Sequence, residues 1–192
     1  MWSVGMITQT EQNEDTLKYQ LSKTLVGRVL WSVLVKRRRL ISADAIKAMK
    51  GVKPTAQLLD LENIPDDSAF LIACNHYNRP GFQAWWIGLA VSAAVASCRS
   101  LEADKEIHWI MTAAWTFPES VWKQRLLTPV TKWGFARLAD VYRFIPMPPM
   151  PPRPEEVAER AAAVLRTVRL ARRIAAHGGM IGLAPEGHDI PG

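Results

Sequence analysis

The stretch Ala69-Phe70-Leu71-Ile72-Ala73-Cys74 is a short apolar run that stops at a polar sequence, Asn75-His76-Tyr77-Asn78. Its length and composition predict a buried strand. Three similar runs follow at residues 107–111, 141–145 and 180–184, and helical patterns separate them. Strands that alternate with helices are typical of an α/β fold. We therefore predict a mixed, largely parallel sheet of at least four strands, flanked by helices.

The segments between the strand candidates favour helices. Residues 81–97 follow a proline and carry an apolar face that we expect to pack on the sheet. This face is formed by Trp85, Trp86, Leu89 and Ala93. Residues 118–138 predict one or two helices, with Pro129 as an interruption. Residues 155–177 begin with acids, are rich in Arg and stop at two glycines, which is the pattern of a capped helix.

The positive charge of the chain is concentrated in one segment. The protein has 192 residues, enough for one domain with a core, and a net charge of +6. Residues 18–50 alone hold nine Lys or Arg and a single acid, Asp44. A basic surplus favours anionic partners, which include nucleic acids, phosphorylated metabolites and acidic lipid headgroups.

The basic segment also has the periodicity of an amphipathic helix. Its apolar stripe recurs every four residues at Leu17, Leu21, Leu25, Val29 and Val33. With Trp31 and the run Lys36-Arg37-Arg38-Arg39, such a helix is typical of binding to a membrane surface. Alternatively, it packs on the core, and its basic end complements the helix dipole. Nucleic acid is disfavoured because no helix-turn-helix, zinc or aromatic RNA-binding pattern accompanies the charge.

These patterns predict three parts of the chain and a location in the cell. We expect a polar tail at 1–16, a membrane-proximal amphipathic basic segment at 17–50 and an α/β domain at 51–192. The polar N-terminus is not a secretory signal, and no window reaches the roughly 18 apolar residues of a spanning helix. Cys74 and Cys98 form no disulfide or metal pattern. We therefore predict a cytoplasmic protein that associates peripherally with a membrane.

Two of the strand ends carry candidate functional residues. His76 directly follows the first strand, and an imidazole with a pKa near neutrality is suited to general-base chemistry. The last strand leads into Pro185-Glu186-Gly187, where an acid and a close backbone approach at glycine suit a polar ligand. Each sequence, taken alone, is more often an ordinary turn than a functional site. In parallel sheets, however, binding sites lie beyond the carboxyl ends of the strands.

Together, the two strand ends resemble the first and third motifs of the glycerol-phosphate and lysophospholipid acyltransferase family. In that family one strand ends in Asn-His, with an Asp five residues after the His, and a later strand ends in Pro-Glu-Gly. Here Asn75-His76 and Pro185-Glu186-Gly187 stand about 110 residues apart. Residues 61–67 resemble the family's lead-in to the first strand, and Arg143-Phe144-Ile145-Pro146 occupies the place of its second motif. The resemblance covers roughly residues 55–192.

The resemblance implies an acyl transfer without a metal or organic cofactor. His76 would act as the general base on a hydroxyl of a lysophospholipid or related lipid, which attacks the thioester of acyl-CoA or acyl carrier protein. The implied substrate-binding residues are Asn75, Arg79, Arg143, Glu186 and Gly187. The implied partners are the acyl carrier and a membrane surface with anionic lipids. Such an enzyme serves phospholipid biosynthesis.

Three departures from the family pattern define the alternative. Gly81 stands where the family has the Asp that orients the His. Weakening such a partner costs about 10⁴ in turnover in serine hydrolases, so the alternative is a catalytically impaired relative that binds lipid or membranes. Asp189 stands where the family has an Arg, and we hypothesise that it is a replacement partner for His76. The family's domain continues past the third motif, so we expect residues 51–192 to be incomplete at the C-terminus.

Overall fold

The computed structural model describes residues 19–53, 57, 59–66, 68–75, 78, 81–99, 105–117, 119–149 and 154–185. Over these residues the helices are α1 (Lys23–Val35), α2 (Ile41–Met49), α3 (Trp85–Cys98), α4 (Val121–Tyr142) and α5 (Val157–Ala176). The strands are β1 (Leu71–Ala73), β2 (Ile107–Thr112), β3 (Ile145–Met147) and β4 (Met180–Leu183). Short 3₁₀ helices lie at Leu61–Asn63 and Pro154–Glu156. The predicted polar tail at 1–16 lies outside the described residues.

The four strands form one sheet in the order β1-β4-β2-β3. Each of its three pairings is parallel, and β4 lies between β1 and β2 although it follows both in sequence. Parallel neighbours require crossover connections, and α3, α4 and α5 lie on the three connections between successive strands. The predicted α/β fold with a largely parallel sheet is therefore confirmed.

Helix α3 meets the sheet through the indole ring of Trp109 on β2. This ring lies so close to Gly182 of the neighbouring strand that a Cβ there would come within 2.5 Å of it. A Cβ on Gly88 of α3 would lie 3.7 Å from the same ring. The indole Nε1 donates to Ser92 Oγ at 3.0 Å, and Ser92 is fully buried. Small residues on both elements thus make room for one large ring.

The face of α3 that was expected to pack on the sheet points elsewhere. Trp86 is 1% exposed, but it packs with Leu25 and Ala48 from α1 and α2. Trp85 stacks on Trp86 with ring centroids 4.4 Å apart and is 49% exposed. Since α3 is apolar on all sides, its periodicity could not indicate which side meets the sheet.

Over its described residues, the predicted basic segment at 17–50 contains the two helices α1 and α2. Ser22 Oγ accepts a hydrogen bond from Leu25 N at 3.2 Å and caps the start of α1. Lys36 ends the helix in the left-handed conformation, with φ 55°. Val33 is buried with Ile41 of α2 and with the end of α4. The predicted apolar stripe, which recurs every four residues, therefore packs in the core over its described part.

A buried polar cluster holds α2 in place. Arg39 Nε and Nη2 donate to the two carboxylate oxygens of Asp44 at 2.6 and 2.5 Å. The hydroxyl of Tyr142, at the end of α4, donates to Asp44 Oδ2 at 2.7 Å. At the first turn of α2, the buried carboxylate of Glu106 accepts hydrogen bonds from the amide and the hydroxyl of Ser42. Arg39 is therefore a structural residue paired with Asp44, and not part of a freely solvated basic run.

Two sequence-based boundaries in the second half are wrong. The strand predicted at 141–145 begins only at Ile145, because Val141 and Tyr142 form the last turn of α4 and Arg143 ends it with φ 58°. Pro129 does not interrupt the helix, which continues for 22 residues through it. The loss of one hydrogen bond at a proline is tolerated in a helix whose end, at Val141 and Tyr142, is anchored in the core.

Candidate functional site

The carboxyl ends of β1 and β4 lie side by side at one end of the sheet. The two strands pair in parallel, with Ala73 opposite Leu183 at their last residues. Beyond β1, the amide of Cys74 donates to the carbonyl of Leu183 at 3.1 Å. Loops that leave adjacent parallel strands form the binding sites of open α/β sheets. The segments that begin at Cys74 and Ala184 therefore leave the sheet next to each other.

Asn75 lies at this end of the sheet, directly past β1, and is exposed. The other residues predicted for the two loops lie outside the described part of the chain. They are His76, Arg79, Glu186, Gly187 and Asp189. The hypothesised pairing of Asp189 with His76 lies outside it as well. The fold thus brings together the first residues of the loops that follow β1 and β4.

The loop after β1 has a defined connection to α3. Asn78 Oδ1 accepts a hydrogen bond from the amide of Ala84, one residue before the helix begins. Between them, Gly81 has a φ of 78°, which glycine adopts freely and which costs other residues about 1–2 kcal/mol. The position at which the resembled motif has an Asp is thus built on a backbone that favours glycine.

Arg143 lies apart from the ends of β1 and β4. It is the C-cap of α4 and precedes β3, whereas Asn75 follows the carboxyl end of its strand. Strand β2 also separates β3 from β4 in the sheet. The carbonyl of Arg143 accepts a hydrogen bond from Nδ1 of His108, a buried residue on β2. The fold thus does not bring Arg143 together with Asn75, because residues 141–143 end a helix instead of forming a strand.

An apolar cavity of about 510 Å³ lies between β1, α3 and the segment around the 3₁₀ helix at Leu61–Asn63. Its lining includes Ile72 and Phe82, which belong to the segments immediately before and after the loop that contains His76. Among the described residues, no charged side chain lines it. Sequence reasoning missed this cavity because its wall is formed by residues that are far apart in the sequence, from Tyr19 to Val95. The signal that could have indicated it is the uniformly apolar composition of α3.

Helices α1 and α4 each expose a row of large apolar side chains to solvent. On α1, Leu30, Trp31 and Leu34 are each about 60% exposed. On α4, a second exposed set follows the helical repeat, at Trp122, Leu126, Val130 and Trp133. The set on α4 was not singled out from the sequence, although its spacing of three and four residues is visible there. In the described part of the chain, no helix is both long and apolar enough to span a bilayer.

Comparisons of the chain with protein-family models, with curated proteins and with solved structures find no match. The acyltransferase resemblance therefore stays a prediction that depends on the motifs in the sequence. Within the described residues, no group of three or more His, Cys, Asp and Glu side chains could hold a metal ion.

Proposed function

We propose that this protein is an O-acyltransferase that moves a fatty acyl group from acyl-CoA or acyl carrier protein to a hydroxyl of a lysophospholipid or related lipid. The observation that supports this proposal is the parallel pairing of β1 with β4. It starts the Asn75-His76 loop and the Pro185-Glu186-Gly187 loop at adjacent points of the sheet. A base on one loop and an acceptor-binding sequence on the other are the two parts that the reaction needs.

In the proposed mechanism, His76 takes the proton from the acceptor hydroxyl as its oxygen attacks the thioester carbonyl. The tetrahedral intermediate then collapses, the C–S bond breaks, and the thiolate leaves and takes the proton from the imidazolium. An imidazole serves both steps because its ordinary pKa, about 6.5, lies near neutral pH. Asn75, Arg79, Glu186 and Gly187 are proposed to bind the acceptor. Arg143 has no part in this mechanism.

The apolar cavity beside β1 is proposed to hold the acyl chain. Ile72 and Phe82, which line it, flank the His76 loop in sequence. A volume of about 510 Å³ is in the range of small-molecule sites. Each buried methylene contributes about 0.8 kcal/mol to binding, so an uncharged wall suits a hydrocarbon chain. The accompanying proposal is that the enzyme works in the cytoplasm, peripherally bound to a membrane, and the exposed apolar residues of α1 support the membrane binding.

The decisive experiment incubates the full chain with labelled acyl-CoA or acyl carrier protein and a range of lysophospholipid acceptors. We expect labelled lipid product and release of the free thiol, both abolished by His76→Ala. The matched control is His177→Ala, because His177 is exposed at the end of α5 and its ring forms a hydrogen bond with the backbone carbonyl of Arg173, within its own helix. If the protein shows neither acyl transfer nor thioester hydrolysis with any donor and acceptor, the proposal is overturned.

A catalytically impaired relative that binds lipid is the second candidate, and the backbone of Gly81 favours it. A carboxylate at this position would orient the histidine, but the positive φ of Gly81 favours a residue without a side chain. If this candidate is correct, the protein binds lysophospholipid without turnover and His76→Ala changes nothing. If the enzyme is active but slowed, Gly81→Asp raises the rate of transfer above that of the wild type.

A further inference from the structure

A basic cleft of about 720 Å³ lies between α1 and α2. Five basic side chains line it, and Asp44 is the only acid among the described residues that does so, which leaves a net charge of +4. The basic residues are Arg28, Arg37, Arg38, Arg39 and Lys47. Four of the five are exposed, and Arg39 is half-buried. The folded chain creates this concentration of cations, because the residues come from two helices and the turn between them.

The single acid of the cleft is already neutralised. Arg39 forms a bidentate ion pair with Asp44, and its Nη1 donates to Ser32 Oγ at 3.3 Å. Both partners are therefore fixed, and they form a rigid wall whose charges cancel. The remaining cations keep their attraction for a ligand. Guanidinium groups bind phosphate oxygens in a bidentate manner, so the chemistry that fits is a phosphate group.

The apolar face of α1 adjoins the cleft. Gly27, Leu30, Trp31 and Leu34 lie at positions i, i+3, i+4 and i+7 of one helical stripe. The stripe starts at Gly27, which lines the cleft, and continues through three exposed apolar side chains. A free phosphate uses only the cations, whereas a phospholipid at a bilayer surface uses the cations and the apolar stripe together.

We infer that the cleft between α1 and α2 binds the phosphate-bearing headgroup of an anionic phospholipid while the stripe of Leu30, Trp31 and Leu34 enters the adjoining bilayer. This site is separate from acyl transfer, since it lies between α1 and α2 and not at the ends of β1 and β4. Binding of phospholipid at the cleft can be measured without an acyl donor. If the proposed enzyme activity is absent, this inference is therefore unaffected.

A substitution at Gly27 can test whether the cleft is occupied without changing the charge of the protein. A Cβ added there meets no atom within 4 Å, so a side chain at this position starts in open space, and we expect the leucine of Gly27→Leu to extend into the cleft that Gly27 lines. This substitution makes α1 more apolar and leaves every charge in place. Simple adsorption to a charged bilayer would be unchanged or tighter, whereas a headgroup seated in the cleft would be displaced.

The experiment measures sedimentation of the full chain with phosphatidylcholine vesicles, with and without phosphatidylglycerol. We expect binding to the anionic vesicles that weakens about thirtyfold in Arg37→Gln/Arg38→Gln and also weakens in Gly27→Leu. The matched control is Arg166→Gln/Arg169→Gln, which removes the same charge from exposed positions of α5. The control should retain nearly the affinity of the wild type. Circular dichroism of each variant verifies that it is folded.

Three outcomes would overturn the inference. If Gly27→Leu binds anionic vesicles as well as the wild type does, the cleft is not the site. If the Arg166/Arg169 control loses as much affinity as the Arg37/Arg38 variant, binding depends on net charge alone. If inorganic phosphate or duplex DNA binds with the same dependence on Gly27 and the vesicles do not, the cleft recognises phosphate from a source other than a lipid.

Discussion

Two buried clusters hold the helices of this protein by different means. Around Trp109, α3 is held on the sheet by close packing of one indole against two glycines. Around Asp44, α2 is held to α4 by a carboxylate that accepts hydrogen bonds from Arg39 and Tyr142. The first cluster depends on volume and the second on charge. A change of size should therefore damage the first cluster most, and removal of a charge should damage the second.

The largest effect is expected from Asp44→Ala. This change leaves a half-buried guanidinium at Arg39 without its counter-ion and the hydroxyl of Tyr142 without its acceptor. Removing one partner of a buried ion pair lowers the free energy of unfolding by about 3–5 kcal/mol. Urea denaturation of the full chain measures the loss. The matched control is Lys47→Ala, an exposed position on the same helix, which should change stability by less than about 0.5 kcal/mol.

A double-mutant cycle tests whether charge is the cause. Adding Arg39→Met to Asp44→Ala removes the uncompensated cation, so we expect the double variant to be more stable than Asp44→Ala alone. If both single changes simply add, the two side chains do not act as a pair. The contrast between the charged and the close-packed cluster would then be lost.

The second largest effect is expected from Gly182→Ala, which tests the close-packed cluster. The new methyl group would lie 2.5 Å from the indole ring of Trp109, so the ring must move. Overpacking of a core costs about 1–3 kcal/mol. The matched control is Gly88→Ala, whose Cβ would lie at an ordinary 3.7 Å from the same ring. Because alanine favours a helix over glycine by about 1 kcal/mol, this control should be as stable as the wild type or more so.

The contrast between these clusters also explains how far the sequence could predict the fold. Strands β1, β2 and β4 were predictable because they are short apolar runs, and α5 was predictable because local signals mark its start and its end. The insertion of β4 between β1 and β2 was not, because strand order depends on pairing between distant segments. The same holds for Trp109 and Gly182, which meet only after β4 has been placed. A run such as Arg37-Arg38-Arg39 does not reveal that its last member is paired.

The candidate site was predictable to a similar extent. The rule that sites lie beyond the carboxyl ends of parallel strands led to the loops after β1 and β4, and the described ends of these strands are adjacent. The family resemblance implied that Arg143 also binds the substrate, but Arg143 precedes β3 and therefore lies at the amino end of its strand. The basic cleft was missed because it forms only when the chain turns between α1 and α2.

The third prediction concerns the hydrogen bond inside the close-packed cluster. Ser92→Ala removes the fully buried hydroxyl that accepts a hydrogen bond from the indole Nε1 of Trp109. The loss of this hydrogen bond costs about 1 kcal/mol, which urea denaturation measures, and the near-ultraviolet circular dichroism of the ring should change as well. Ser97→Ala is the matched control on α3, since Ser97 is exposed and bonds only to its own helix and a neighbouring thiol. Equal losses in both variants would mean that packing alone holds Trp109.

The smallest effect at neutral pH is expected from Tyr142→Phe, about 1 kcal/mol, because Asp44 keeps both hydrogen bonds from Arg39. Burial, reinforced by Asp44, raises the pKa of the Tyr142 phenol well above its ordinary value. Above about pH 10 the unfolded chain therefore loses a proton that the folded chain keeps. Stability from Tyr142 is complete below that pH and falls by up to about 1.4 kcal/mol per pH unit above it. Urea titrations at rising pH should show a shallower alkaline decline for Tyr142→Phe, and identical slopes would show that folding does not raise the pKa of the phenol.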